Sequence, residues 1–373
     1  MKMDYFYFHV LVLWLNVLGI ALLVGSVMFR WAVLNRGLRV IDPASPELER
    51  VQVTSNRDLK RWMAGSLILL VVVSAPDLIL RAQMMSNKPL LEVASVLPLV
   101  LLKTHMGKVW LSRMAILCLF GVLWFFIKKS SPSGIQPLLL LATAGLCLTT
   151  SLSGHAADKG DFTVPVAADW LHVMAVSSWI GSLVPLRFLL PKIITLLDKK
   201  SHLKLEAEVV QRFSSFAVRC VSILMLSGVY NAWLHVRTFS NLMTTPYGVT
   251  LLFKLAFVAP MLGLGALGRY YVRPALQTLV GEPVRDSLIG RMANRIISLL
   301  GGKTGDEDYR MLQQGYGSGQ IAMLHLKIFV ALECLLAIVV LGLTALLTQT
   351  SPPDLSELTP PGNPSDMMRN MGM

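Results

Sequence analysis

The chain has 373 residues, of which 54% are hydrophobic and only 15% charged, and its mean hydropathy is +0.59. Soluble domains carry about 25% charged residues, so this composition indicates a membrane protein. A chain this apolar is excluded from the disordered class. Its four cysteines all lie inside apolar runs, which excludes a disulfide scaffold, and they include no C-x-x-C pair for zinc binding or thiol exchange.

Eight apolar runs of about 20 residues follow one another along the chain, each long enough to cross roughly 30 Å of hydrocarbon. Backbone groups in lipid must bond within their own segment, so runs of this length predict helices. The runs cover approximately residues 5–29, 62–80, 109–127, 136–152, 170–190, 213–233, 249–271 and 321–347. We therefore predict an all-α polytopic membrane protein, a bundle of about eight transmembrane helices over residues 1–349.

The net charge of +12 has a topological explanation. Lysine and arginine are concentrated in alternate loops, and the other loops and the chain ends carry only Lys2, Arg81, Lys88, Lys103, Lys108, Lys159, Arg237 and Arg369. Since basic loops stay in the cytoplasm, both termini are predicted to be periplasmic. The basic inner surface indicates membrane lipid of anionic type as a partner, and no nucleic acid partner is expected.

Two segments outside the apolar runs have their own character. Residues 282–301 place apolar side chains at helical spacing among arginines, which favours a cytoplasmic amphipathic helix anchored in the headgroup plane. Residues 350–373 are rich in proline and polar residues and end in a methionine cluster. They are predicted to form a disordered, Met-rich periplasmic tail.

Five of the seven histidines fall near the predicted outer ends of helices: His9, His105, His155, His172 and His235. Neutral imidazole suits copper, zinc, iron and nickel, and a methionine thioether selects Cu(I). Met106 adjoins His105 and is therefore a candidate soft ligand. The same histidines could equally bond water or headgroups at the interface.

Asp169 and His172 lie three residues apart in the fifth run and can share one helix face. Asp169 could then orient the imidazole of His172 as a carboxylate acceptor, an arrangement typical of metal-binding histidine. It could equally be the N-cap of the helix that follows. The sequence leaves both alternatives open.

Several ionisable residues lie inside the apolar runs, among them Asp77, Arg113, Lys254 and Glu333. Charges are costly in hydrocarbon, so these side chains should face the bundle interior or water. The first three lie roughly 8 to 11 Å from the outer ends of their helices, a depth at which they could pair. They could form a neutralising network or a polar route for an ion beneath the histidines.

The order and spacing of several motifs resemble the copper resistance D (CopD) membrane proteins over about residues 103–347. The core of the resemblance is Ser153-Gly154-His155-Ala156, then Asp169-x-x-His172, then Trp179-Ile180-Gly181 with Leu183. Flanking matches are Thr104-x-x-Gly107-x-x-Trp110-x-x-Arg113, Ser227-Gly228 with Asn231, Tyr247-Gly248 with Lys254, Gly268-Arg269, and Glu333. Met106 departs from an expected aromatic, and Ser182 replaces the second Gly of Trp-x-Gly-Gly-Leu.

This resemblance implies an eight-helix protein of the bacterial inner membrane that handles copper from the periplasmic side. Such proteins often work beside a soluble periplasmic copper carrier of the CopC type. Carried over residue by residue, His155 and His172 are the leading ligands, and Asp169 supports them. His105, His235 and Met106 are further candidate ligands.

The expected function is therefore binding of a copper ion, as Cu(I), and its transport across the membrane. The alternatives are a haem-b electron carrier, since bundles also hold haem iron between paired histidines, and a purely structural membrane partner. We do not expect an enzyme, because the sequence contains neither a Gly-x-x-x-x-Gly-Lys loop nor a nucleophile elbow.

Overall fold

The computed structural model describes residues 3–86, 89–126, 134–158, 160–281 and 318–350, together with helical residues 291, 292, 295, 296 and 299. Eight long helices account for most of this part of the chain. They are α1 (Met3–Met28), α2 (Pro46–Ser86), α3 (His105–Phe125), α4 (Ile135–Ser151), α5 (Val164–Phe188), α6 (Lys199–Val236), α7 (Pro246–Leu267) and α8 (Ser318–Gln349). The predicted all-α fold is confirmed.

Seven stretches of helix are long and apolar enough to cross a membrane: Tyr5–Val40, Pro46–Ser86, His105–Phe125, Val164–Ile194, Lys199–Val236, Pro246–Leu279 and Ile321–Gln349. They coincide with seven of the eight predicted spans and are candidate membrane spans, and the chain is a multi-pass membrane protein. The remaining run forms α4, which has 17 residues. At 1.5 Å per residue α4 is about 25 Å long, shorter than the roughly 30 Å of hydrocarbon. A bundle of eight spans therefore stays a prediction, as does the side on which the termini lie.

Some helices extend well beyond the apolar runs that predicted them. The second run begins near Trp62, but α2 begins at Pro46. The sixth begins near Phe213, but α6 begins at Lys199. The added turns are charged and lie outside the apolar runs. A helix can continue into water because its backbone bonds are made internally, whereas hydropathy detects only the part in hydrocarbon.

Helix α1 lies inside the bundle and contacts α2, α4, α5 and α8. It crosses α5 at backbone distance: a Cβ placed on Gly25 would lie 2.0 Å from the carbonyl carbon of Gly181, and one on Gly181 would lie 1.7 Å from Ala21 O. Small residues allow such an approach between membrane helices. Ser182 Oγ lies 2.6 Å from Ser178 O of its own helix and 3.1 Å from Gly25 O, so serine is accommodated where the resembling family has a second glycine.

Contacts between loops follow the alternation inferred from the basic residues. At the predicted outer end, His105 Nε2 lies 2.8 Å from Asp161 in the loop between α4 and α5. At the other end, Lys192 donates to Asp58 Oδ2 at 2.5 Å, joining the chain after α5 to α2. The loops predicted to share a side therefore meet.

Two predicted segments fall largely outside the described residues. Of the amphipathic segment 282–301, only residues 291, 292, 295, 296 and 299 are described, and they are helical. The Met-rich tail beyond residue 350 lies entirely outside the described part.

Candidate functional site

Two polar side chains of α5, Asp169 and His172, face the neighbouring helix α6. Helix α5 begins at Val164, and the side chain of Thr163 caps it. Asp169 therefore lies inside the helix, and the alternative that it is an N-cap is wrong. Spaced at i and i+3, Asp169 and His172 share one face, as predicted.

On α6, Ser227, Asn231 and His235 are spaced four residues apart and form a polar stripe along one face. Asn231 Nδ2 donates to Asp169 Oδ1 at 3.3 Å. The Nδ1 atom of His172 lies 3.1 Å from Ser227 Oγ. The group that contacts the His172 ring at Nδ1 is thus a serine of α6, while Asp169, predicted for this role, accepts from Asn231.

Lys254 of α7 completes the group from a third helix. Its ammonium is close enough to Asp169 and His172 to act electrostatically on both. The carboxylate and the ammonium partly neutralise each other, which lowers the cost of placing either in an apolar bundle. We expected Lys254 to pair with Asp77 and Arg113 because of their similar depth. The groups near its ammonium are instead Asp169 and His172 of α5.

His155 lies on a short 3₁₀ turn, His155–Ala157, between α4 and α5, and its side chain is exposed. Its Nδ1 lies 3.4 Å from Asp158 Oδ2. His155, Asp158 and Asp169 are all near enough to His235 to act on its charge. His155 and Asp169 therefore both lie near His235, and His172 lies one helical turn from Asp169.

These donors are neighbours but do not converge on one point. Among the described residues, no group of three or more His, Cys, Asp or Glu side chains is close enough to hold a metal ion. Asp169 and His172 are fixed on a helix and bonded to α6, whereas His155 is exposed on a turn.

A second polar network joins α2, α3 and α4. Asp77 Oδ1 accepts from Arg81 Nε at 2.9 Å, and Asp77 also interacts electrostatically with Arg113. Arg113 donates from Nε to Thr149 Oγ1 at 3.1 Å and from Nη2 to Thr149 O at 3.2 Å. His9 of α1 is buried, with Nε2 3.9 Å from Asp77 Oδ1. The expected proximity of Asp77 and Arg113 is present.

His105 and Met106 lie beside the loop that carries His155. His105 contacts Asp161 of that loop. Arg81 Nη1 lies 3.7 Å from Met106 Sδ and 3.4 Å from Ser153 O, so one guanidinium bridges Met106 and the loop. The loop thus contacts His105 directly and Met106 through Arg81, and its His155 lies near His235.

The sequence interpretation missed some of these residues as part of the site. Arg81 was counted as a loop residue, although its position four residues after Asp77 on a helix could have indicated the pair. Ser227 and Asn231 were noted only as part of the resemblance. Their spacing of four residues was the available signal for a polar helix face.

Glu333 lies on α8, apart from the outer group. It is buried and lines a cavity of about 350 Å³ together with Trp179 of α5, Ser214 of α6 and Arg269. The remaining lining is mostly apolar. Once it has lost its proton, this side chain can attract a cation within the bundle.

Comparisons with known proteins identify the chain. A family model described as Copper resistance protein D-like, N-terminal domain, matches residues 3–164, and a second, Copper resistance protein D, matches residues 207–302. The chain belongs to the CopD family. The first match includes Asp77, Arg113 and His155, and the second includes His235 and Lys254. Asp169 and His172 lie between the two matched ranges.

Three curated relatives share part of this CopD-family sequence. Copper transport protein CutJ of Bacillus subtilis (strain 168) is 31% identical over 188 residues, 50% of this chain and 34% of that protein. Copper resistance protein D of Pseudomonas syringae pv. tomato is 28% identical over 230 residues, 60% of this chain and 73% of that protein. Inner membrane protein YebZ of Escherichia coli (strain K12) is 24% identical over 178 residues, 47% of this chain and 58% of that protein. The match thus spans about a third of CutJ. No solved structure matches this chain significantly.

Proposed function

We propose that this protein binds copper at the periplasmic face of the bacterial inner membrane and transports it across. Membership of the CopD family and the relatives named for copper transport and copper resistance support this function. The observation that carries it is the group formed by His172, Asp169, His235 and His155 at one end of the bundle.

The ion is held first by His172 and His155, with His235 beside them. His172 is fixed against α6, and the exposed turn of His155 closes onto the ion. His105 and Met106, beside the same loop, are further candidate donors, and Met106 is the weaker one because Arg81 already contacts its sulfur. Imidazole and thioether donors together favour Cu(I).

The inward route passes from Asp169 and Lys254 to Glu333. Trp179, which lines the cavity of Glu333, lies seven residues after His172 on α5, about 10 Å along the helix. Asp169 and Glu333 each place a carboxylate on this side of the bundle, which lowers the cost of a cation in a low-dielectric interior. Asp77 and Arg113 support the loop at the entrance from the opposite side.

This assignment requires eight spans, with α4 as the eighth and both termini in the periplasm. Helix α4 packs against α1, α3 and α5 and buries Leu139 and Leu146, as a member of the bundle would. The loop of His155 then faces the periplasm, where a copper carrier of the CopC type delivers the ion. The basic loops face the anionic lipid of the inner leaflet.

The test is the metal content of purified protein. Wild type and the His155→Ala/His172→Ala double variant are loaded with Cu(I) in detergent, and copper and iron are measured together by elemental mass spectrometry. We expect about one copper per chain in wild type and none in the double variant, because both leading imidazole ligands are removed. His202→Ala, at the opposite end of the bundle, is the matched control and should keep its copper.

Copper retained by the double variant would contradict the site. Iron in wild type, with a Soret band in the visible spectrum, would replace copper transport by haem binding between paired histidines. Copper uptake by cells that produce His172→Ala should fall to the level of cells without the protein, and unchanged uptake would contradict the route.

A further inference from the structure

The hydroxyl of Ser227 faces two groups at once. Its Oγ lies 2.6 Å from Ile223 O, one turn earlier in α6, and 3.1 Å from His172 Nδ1. A hydroxyl has one hydrogen to donate, and a carbonyl oxygen can only accept. Two oxygens 2.6 Å apart would repel each other without a hydrogen between them, so the Ser227 hydrogen points to Ile223 O.

Because that hydrogen is committed, Ser227 Oγ can only accept from His172. The hydrogen in this second bond must therefore come from Nδ1 of the imidazole. The Leu224 carbonyl, 3.5 Å from the same hydroxyl, also lies near the His172 ring, and a carbonyl can only accept. The contact with Ser227 therefore requires an N–H on the ring edge that faces α6.

A neutral imidazole carries one N–H, so a hydrogen on Nδ1 leaves the lone pair on Nε2. A metal ion binds the nitrogen that has the lone pair, and the bond made by the other nitrogen sets which one that is. The arrangement on α6 thus selects Nε2 of His172 for metal binding.

Gly228, the next residue of α6, leaves room for the ring in this position. A Cβ on Gly228 would lie 3.3 Å from His172 Cε1 and 3.6 Å from Nδ1. The first distance is tighter than ordinary van der Waals contact, so a side chain here would require the imidazole to shift by a few tenths of an ångström. Ser227 and Gly228 therefore act together. Ser227 determines which ring nitrogen carries the hydrogen, and Gly228 leaves space for the ring beside α6.

We propose that Ser227 and Gly228 are positioning residues that hold His172 in the Nδ1–H form and present Nε2 as its copper-binding atom. The copper part of this inference rests on the proposed function. The tautomer part concerns the metal-free protein and is tested without copper.

The tautomer is measured by ¹⁵N NMR of protein labelled at histidine, free of metal and at a pH where the ring is neutral. The His172 signals are those missing from His172→Ala. We expect the protonated nitrogen to be Nδ1 in wild type. A proton on Nε2, or a mixture of the two forms, would overturn the inference whatever the protein does with copper.

The copper part is measured as the dissociation constant for Cu(I) in detergent. Removing the acceptor in Ser227→Ala should raise it about tenfold, the usual size of an effect through a ligand's hydrogen-bond partner. Ser227→Thr, which keeps a hydroxyl that can bond the same carbonyl, should restore most of the affinity. Ser222→Ala is the matched control. The Ser222 hydroxyl also donates to a carbonyl one turn earlier in α6, Val218 O, but Ser222 is exposed.

An unchanged dissociation constant in Ser227→Ala would overturn the positioning role. An equal rise of the dissociation constant in Ser222→Ala would overturn it too, since the effect would then come from loss of a serine–carbonyl bond anywhere in α6. If Ser227→Ala does not fold, Gly228→Ala replaces it, and its shifted ring should also weaken binding. If wild type shows the Nδ1–H form but binds no copper, the proposed function fails and the tautomer assignment stands.

Discussion

The bundle contains two polar groups that differ in how their charged side chains are paired. In the network of α2, α3 and α4, Arg113 makes two bonds to Thr149, and Asp77 is paired with Arg81. In the group of α5, α6 and α7, Asp169 accepts from the Asn231 amide, and Lys254 acts through its charge. The first group joins helices through bonded guanidinium and carboxylate groups, whereas the second holds a carboxylate and imidazoles beside an exposed turn.

The comparison assigns a role to each group. A charge buried in an apolar interior is tolerated when it is paired and bonded, and Asp77, between Arg81 and Arg113, meets that condition. The group around Asp169 keeps its imidazoles and carboxylate available beside an exposed turn. We infer that the first group stabilises the fold and the second binds the ion. The following variants test this division.

The largest expected effect is on stability, from Asp77→Ala. Removing this carboxylate leaves the guanidinium groups of Arg81 and Arg113 facing each other without a counter-charge. Breaking a buried ion pair from one side typically costs about 3 to 5 kcal/mol. Thermal unfolding in detergent, followed by tryptophan fluorescence, should shift strongly downward, while copper per folded chain stays at the wild-type value.

The control for this prediction is Glu92→Ala, which removes an exposed carboxylate from the short helix Leu90–Ser95 near the same end of the bundle. It should leave the unfolding curve unchanged. A variant of Asp77 that unfolds like wild type but loses copper would reverse the division between the two groups.

A smaller effect, on affinity, is expected from the charges beside His172. Asp169→Asn keeps an oxygen for Asn231 but removes the negative charge, so the Cu(I) dissociation constant should rise. Lys254→Met removes a positive charge near the same histidine, so the constant should fall. Each change should be about tenfold, or 1.4 kcal/mol, as expected for charges close to a partly buried site.

Titration with Cu(I) in detergent measures both constants, and Lys108→Met, an exposed lysine of α3, is the control. The two variants must move the affinity in opposite directions. A shift of the same sign in both would indicate a change of structure and would contradict an electrostatic role for this pair.

The sequence predicted the helices better than it predicted their neighbours. All eight apolar runs lie in helices, because hydrocarbon imposes both length and backbone bonding on a spanning segment. Their ends were less accurate at α2 and α6, where charged turns extend the helix. Hydropathy indicates whether a residue lies in hydrocarbon or in water. It does not show whether the helix continues beyond the bilayer.

The sequence predicted the depth of the charged residues in the bundle but not which of them are neighbours. The depth of Lys254, Asp77 and Arg113 can be calculated from helical rise, and it is similar for all three. Which helices lie side by side depends on packing, such as the close crossing of α1 and α5 at Gly25 and Gly181. Depth alone therefore suggested a single group, and the bundle divides it into two.

The smallest effect is expected from Met106→Leu, which tests where the boundary between the two groups lies. Met106 Sδ is 3.7 Å from Arg81 Nη1, so its thioether already contacts the stabilising network. Leucine has a similar volume and no sulfur, so a packing role predicts less than about a threefold change in the Cu(I) dissociation constant. Met84→Leu, an exposed methionine near the end of α2, is the control. A tenfold loss confined to Met106→Leu would instead show that the ion meets this sulfur, and the binding group would then extend across the loop of His155 to α3.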